Sequence, residues 1–204
     1  MRNGQAQVAE MIREARTGDS KALNRLFELY RNYLAFLAMR GLNKTLHAKA
    51  EPSDVVQETM LQAFRDFSQF RGRTEAEFAA WLRTILAHSI TAVVRRFKGT
   101  AARDIRRERP IADVLYDSSV ALGNIAANET TPSQAAEQRE RSVVLADALA
   151  ALKDDHRSVV VLRDIEQLEW KEVASRMGRT PGAVRMLWIR ALGKLAPLIE
   201  RSRS

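Results

Sequence analysis

Arg185 and Arg190 lie in a short stretch near the end of the chain, at a spacing that suits noncovalent chemistry on a polyanion. An arginine held on a helix can donate two parallel hydrogen bonds to a guanine edge or grip a phosphate. Positioning them requires two helices and a tight turn, and the surrounding residues supply both. Trp170, Val173, Ala174 and Met177 recur at helical spacing, and Gly178 follows where a left-handed C-cap is wanted. Thr180 can cap the next helix with its hydroxyl, and Pro181 at the first helical position gives up an amide that would be unpaired anyway. Val184, Trp188, Ala191 and Leu195 then form one apolar face. This is the pattern of a helix-turn-helix, whose second helix enters the major groove. A pair of packed helices with solvated arginines would show the same segment.

Elsewhere, residues able to make or break bonds are not grouped. There is no phosphate-cradling glycine loop, no nucleophile beside an evident base, and His47, His88 and His156 lack ligand spacing. Asp154-Asp155 resembles a carboxylate pair but reads as a helix N-cap. Cysteine is absent, which excludes disulfides and thiolate metal sites. Catalysis, metal and cofactor are therefore not expected. The 33 basic and 25 acidic residues give a formal charge of +8, which favours a polyanionic partner, nucleic acid first. No apolar run approaches the length of a spanning helix and no secretory signal is evident, so a cytoplasmic protein without membrane insertion is expected.

The 204 residues suit two small helical domains, and no alternation is long enough to build a sheet. A helix over about 19–40 carries Ala22, Leu26, Leu29, Tyr33 and Phe36 or Leu37, capped by Asp19 or Ser20. A second follows Pro52, capped by Ser53 or Asp54, with Val56, Met60, Ala63, Phe64 and Phe67 as its core face. A basic, glycine-containing loop at 71–75 leads to a third over about 75–97, through Phe78, Leu82, Ile85, Ile90, Val93 and Val94. On the second helix Asp54, Gln57, Glu58 and Leu61 share a face; an apolar residue among acids points to a partner helix as readily as to solvent. On the third, Thr84, His88, Thr91 and Arg95 form a polar stripe that could lie along DNA or be plain solvated surface.

A basic run follows, Arg95, Arg96, Lys98, Arg103, Arg106, Arg107 and Arg109, and then the charge reverses. Residues 110–134 contain no lysine or arginine, only Asp113, Asp117 and Glu129. This interval reads as a flexible linker, or as one holding a short helix around Ile111 to Tyr116. The second domain begins near Ala135: Val144, Ala148 and Leu152 mark one helix, Asp154 or Asp155 caps another holding Val159 to Leu162, and the helix-turn-helix closes it. The expected division is 8–103, a linker over 104–138, and 139–200.

Asp54-Val55-Val56-Gln57-Glu58-Thr59-Met60-Leu61-Gln62-Ala63-Phe64, then Phe70-Arg71-Gly72, Phe78-Ala79-Ala80-Trp81-Leu82 and Arg95-Arg96 resemble region 2 of bacterial sigma factors of the extracytoplasmic-function type. The stretch from Leu149 through Leu162-Arg163-Asp164 to Leu195 resembles region 4 of the same proteins. The resemblance implies an all-α initiation factor without bond chemistry, whose partners are core RNA polymerase, promoter DNA and an anti-sigma factor. It implies polymerase docking through Asp54, Gln57, Glu58 and Leu61. It implies contact with the minus 10 element through Phe70, Arg71, Arg73, Trp81, Thr84, His88, Thr91, Arg95 and Arg96, with a flipped base captured by the loop at 70–75. The minus 35 element falls to Arg179, Thr180, Arg185, Met186, Ile189, Arg190 and Lys194.

Two departures bear on specificity. Met186, Leu187 and Ile189 replace polar and basic side chains common on the family's recognition helix, so base readout leans on methyl contacts and DNA shape. His88-Ser89 stands where an arginine-asparagine pair is usual, which leaves the preferred minus 10 bases open. A free-standing helix-turn-helix repressor with a helical sensing or dimerisation domain would also satisfy the charge and the C-terminal pattern.

Overall fold

The computed structural model describes residues 2–42, 50–98, 111–126 and 135–201, and every regular element among them is a helix. The helices are α1 (Arg2–Arg16), α2 (Ser20–Gly41), α3 (Pro52–Asp66), α4 (Glu75–Lys98), α5 (Ile111–Ala126), α6 (Ala135–Ala150), α7 (Asp154–Val160), α8 (Trp170–Arg176) and α9 (Pro181–Arg201). A 3-10 turn, Phe67–Gln69, extends α3, and a π-helical turn, Val161–Ile165, extends α7.

Local chemistry sets several of the helix ends. The Asp19 carboxylate accepts from the amides of Lys21 and Ala22 at 2.8 and 3.1 Å, occupying donors that the first turn leaves orphaned. Thr74 and Glu77 form a reciprocal capping box at the start of α4: Glu77 accepts from the Thr74 amide at 3.0 Å, and the Glu77 amide donates to the Thr74 hydroxyl at 3.3 Å. Ser53 and Asp54 do not cap α3. The N-cap is Glu51, without a side-chain bond, because Pro52 already occupies the first turn. Asp154 and Asp155 likewise fall inside the first turn of α7, one and two positions past the N-cap Lys153, where they still meet the positive end of the helix dipole.

Helices α1 to α4 close around an aromatic cluster. Phe78 is fully buried, with Tyr30 at 5.1 Å, Phe70 at 5.5 Å and Trp81 at 5.7 Å between ring centroids. Burying each such ring is worth about 2 kcal/mol, before any gain from tilted ring pairs. Polar tips are satisfied inside it: the Tyr30 hydroxyl donates to Glu75 at 3.2 Å, and Arg83 donates to the Tyr33 hydroxyl at 2.9 Å.

The linker interval carries α5, which runs well past the Ile111 to Tyr116 segment that the sequence allows as a short helix. Leu115 of α5 is fully buried against Gly41. Tyr116 stacks under the Arg83 guanidinium at 5.9 Å. Residues 99–110 and 127–134, and with them Arg103, Arg106, Arg107, Arg109 and Glu129, lie outside the described residues.

Helices α6 to α9 build a second layer that packs on the first through α6 and α2. Arg157 ties off α6 by donating to the carbonyls of Leu149, Ala150 and Leu152 at 2.9 to 3.0 Å, satisfying acceptors that the helix end leaves open.

Candidate polymerase and nucleic-acid interfaces

The turn between α8 and α9 forms because Gly178 adopts φ +62°, a left-handed conformation that costs a glycine little. The Ala183 amide then donates to the Thr180 hydroxyl at 3.2 Å, so Thr180 caps α9 as the sequence predicts. Val184, Ala191 and Leu195 are buried and Trp188 is partly buried, which fixes the inward face of α9. Trp188 donates its indole N–H to Asp164 at 2.8 Å and meets Trp170 edge to face at 5.6 Å. Burial raises the Asp164 carboxyl above the ordinary carboxylate range, and the indole bond offsets part of that shift.

The predicted DNA-facing residues divide into tied and free groups. Arg179 pairs with Asp155 at 2.5 Å. Arg185 lies 5.7 Å from the Trp170 ring centroid, with Arg163 at 4.7 Å from the same ring. Cation–π contact therefore holds Arg185 of α9 against α8. Arg190 and Lys194 are exposed. His156 is buried near both; burial first, then the charges of Lys194 and Lys153, hold its pKa below the ordinary value.

At the first domain, Asp54, Gln57, Glu58 and Leu61 are all exposed and form a ridge on α3. The ridge separates two grooves. Gln57, Met60, Leu61 and Phe64 look toward Asn24, Phe27, Glu28 and Arg31 of α2. Asp54, Glu58 and Gln62 look toward His88, Ser89 and Arg96 of α4. Leu61 is 54% exposed and Phe64 49%. Phe64, expected on the core face, in fact widens the apolar part of the ridge because it sits one position past the fully buried Ala63.

The loop after α3 differs most from expectation. Phe70 is only 6% exposed, and its ring stacks on Trp81 at 5.0 Å, so it serves as a wall of the domain core and not as a surface ring. The parts of this loop open to solvent are Arg71, Arg73 and Thr74. Two features hold it. A Cβ on Gly72 would lie 2.4 Å from the Phe70 ring, so only glycine lets the chain pass there. Arg16 of α1 donates to the carbonyls of Phe70 and Gly72 at 2.9 and 2.5 Å, with its guanidinium 5.6 Å from the Phe70 ring centroid. Arg16 is a supporting residue that sequence reasoning missed, because nothing in α1 itself signals a bond to a loop 54 residues away.

Along α4, Thr84, His88, Arg95 and Arg96 are exposed and Thr91 is half-buried. The Thr84 and Thr91 hydroxyls donate to the carbonyls of Ala80 and Ala87 at 3.1 and 2.7 Å, which leaves each oxygen able to accept. Among the described residues there is no cluster of groups able to hold a metal ion, and no helix is long and apolar enough to cross a membrane.

This arrangement, one helical domain with an exposed, partly apolar ridge and a second with a helix-turn-helix, is that of a two-part helical protein with the build of a nucleic-acid binder. Residues 26–109 match the family described as Sigma-70 region 2, and residues 148–196 match Sigma-70, region 4, together about two-thirds of the chain. The chain belongs to the sigma-70 family, with its regions 2 and 4 in that order. It is 28% identical over 195 residues to the ECF RNA polymerase sigma-E factor of Haemophilus influenzae, covering 93% of this chain and 95% of the relative. It is 26% identical over 176 residues to the RNA polymerase sigma factor YlaC of Bacillus subtilis, covering 86% and 92%. Among solved structures, CnrH in complex with the cytosolic domain of CnrY matches at 23% identity with a TM-score of 0.35, covering 96% of this chain and 98% of that one.

Proposed function

We propose that this chain is a sigma factor of the extracytoplasmic-function type that joins core RNA polymerase in the cytoplasm, brings it to particular promoters and opens the minus 10 element. It contributes binding energy and no bond chemistry. Residues 8–103 form the polymerase-docking and minus 10 unit, 104–138 the linker, and 139–200 the minus 35 unit. Asp54, Gln57, Glu58 and Leu61, joined by Phe64, form the polymerase face. Arg71, Arg73, Trp81, Thr84, His88, Thr91, Arg95 and Arg96 line the path of the minus 10 strand. Phe70 acts there only as the buried backing of Trp81. A partner that restrains the factor by covering these surfaces, an anti-sigma factor, fits the same reading.

The observation that carries the reading is the exposure of Leu61 and Phe64 on a ridge bordered by charged residues, inside a region 2 that is followed by region 4. Apolar side chains left in water on an otherwise polar helix call for a partner surface. The test is run-off transcription with core polymerase on genomic fragments, beside co-purification with core. Specific transcripts that vanish with Leu61→Arg support the reading. DNA binding without any association with core would replace it with a free-standing repressor.

A further inference from the structure

The inward stripe of α9, Val184, Trp188, Ala191 and Leu195, has a counterpart shifted by two positions: Gly182, Met186, Ile189 and Gly193. Two residues correspond to about 200° around an α-helix, so the second stripe lies on the opposite side. Its large members are open to solvent, Met186 at 51% and Ile189 at 54%. A Cβ on Gly182 or Gly193 would meet nothing within 4 Å, so the interior of the protein asks for neither glycine. The outward face is thus two apolar side chains with low ground at each end.

The margins of that face are cationic. Arg185 flanks it on one side and Arg190 on the other, with Lys194 beyond, and α9 has no acidic residue before Glu200. A protein partner for an apolar stripe with such margins would need a matching acidic rim, whereas the major groove offers phosphates at both walls and apolar groups on its floor. The only apolar groups on that floor are the C5 methyls of thymine. Arg185, 5.7 Å from the Trp170 ring centroid of α8, stands at one margin of the face, where a phosphate would compete with the ring for its guanidinium.

We propose that Met186 and Ile189 read thymine methyl groups on adjacent base pairs of the upstream promoter element, while Arg185 and Arg190 hold the phosphates on either side. This rests on region 4 being the reader of that element. The spacing supports it: three residues advance about 4.5 Å along a helix, close to one base-pair step of about 3.4 Å. The glycines let the backbone of α9 settle low enough in the groove for a branched chain and a thioether to touch a methyl.

The test uses holoenzyme reconstituted from the full chain and core polymerase on a template pool randomised across the upstream element. Selection of two neighbouring thymine-bearing pairs is expected. Replacing those thymines with deoxyuridine removes only the methyls and should lower open-complex formation about four-fold each, the worth of one buried methyl-sized group. Met186→Ala with Ile189→Ala should be insensitive to that replacement, and Met186→Leu should restore sensitivity. Deoxyuridine templates that work as well as thymine templates, with the selected element otherwise intact, would overturn methyl reading and leave the sigma assignment standing. Equal losses by the alanine variant on both templates would assign the face to a protein contact instead. Failure to select any upstream element would remove the premise that region 4 reads it.

Discussion

Arg40 of α2 and Glu166, in the turn before α8, meet at 2.7 Å although 126 residues separate them in the chain. Glu166 takes Arg176 as its second partner at 2.8 Å, so a single carboxylate bridges region 2 and the helix-turn-helix. Asn32 adds a second tie, donating to Asp147 of α6 at 2.9 Å. Both arginines and the glutamate are largely shielded from solvent, which makes the bridge stronger than a surface ion pair. Glu166→Ala should cost about 2 kcal/mol, the scale of losing hydrogen bonds to a charged group. It should also raise the radius of gyration of the free protein in small-angle scattering. An unchanged radius and melting curve would show that the two layers hold together without the bridge.

The loop that follows α3 depends on Arg16, outside the segment that matches region 2. Arg16→Ala should slow promoter opening roughly ten-fold, the equivalent of about 1.4 kcal/mol for lost charged hydrogen bonds, while retention on the upstream element alone stays near normal. Arg16→Lys should recover part of the rate, since one nitrogen makes both bonds and an ammonium can donate to both carbonyls, but it lacks the planar face that Arg16 holds against the Phe70 ring. Permanganate reactivity of the melted strand reports the first step and gel retention the second. Equal loss in both assays would mean that the whole domain, and not the loop, has been disturbed.

Asp164 makes stability depend on pH in a definite direction. Its folded pKa is raised, chiefly by burial, so across the window between the unfolded and folded values the native state holds more protons than the unfolded one. Stability from this group is therefore greatest in acid and falls as pH rises through the folded value. Asp164→Asn can still accept from Trp188 and cannot ionise. Its stability relative to the parent should increase from acid toward neutral pH and then level off, as urea unfolding at several pH values would record. A difference that is flat with pH would show that Asp164 is not shifted.

Leu61 and Leu86 should separate binding from folding. Leu61→Arg alters an exposed side chain and should change stability by less than about 0.5 kcal/mol, yet weaken association with core polymerase at least roughly ten-fold, a loss of about 1.4 kcal/mol. Leu86→Ala removes a fully buried side chain and should cost about 2 to 5 kcal/mol of stability. Chemical denaturation and a core-binding titration on both variants check the contrast. Equal destabilisation of the two would remove Leu61 from the docking surface.

The helix-turn-helix was the most legible part of the chain because its signals are local: a glycine at the required left-handed position, a threonine cap, and an apolar stripe four, three and four residues apart. Asp19 was legible as a cap for the same reason. What periodicity could not show was which of several exposed edges borders which neighbour. The ridge from Asp54 to Leu61 was visible, but its division between two grooves depends on how α2 and α4 lie beside it. The resemblance places Phe70 among the minus 10 contacts, and only the aromatic cluster around Phe78 explains why its ring turns inward. The Thr74–Glu77 capping box was present in the sequence and marks the start of α4 more sharply than the Glu75 boundary inferred from hydrophobic spacing. The partners of Arg16, Arg40 and Asn32 are set by tertiary packing alone.

Of the three tryptophans, Trp81 stands in region 2 beside the loop, while Trp170 and Trp188 share the helix-turn-helix. The molecule thus carries its own optical labels, one set for each half. With Trp81→Phe only the downstream pair emits; with both of that pair replaced, Trp81 emits alone. Stopped-flow emission could then time the arrival of each promoter element separately, in a protein with no attached dye.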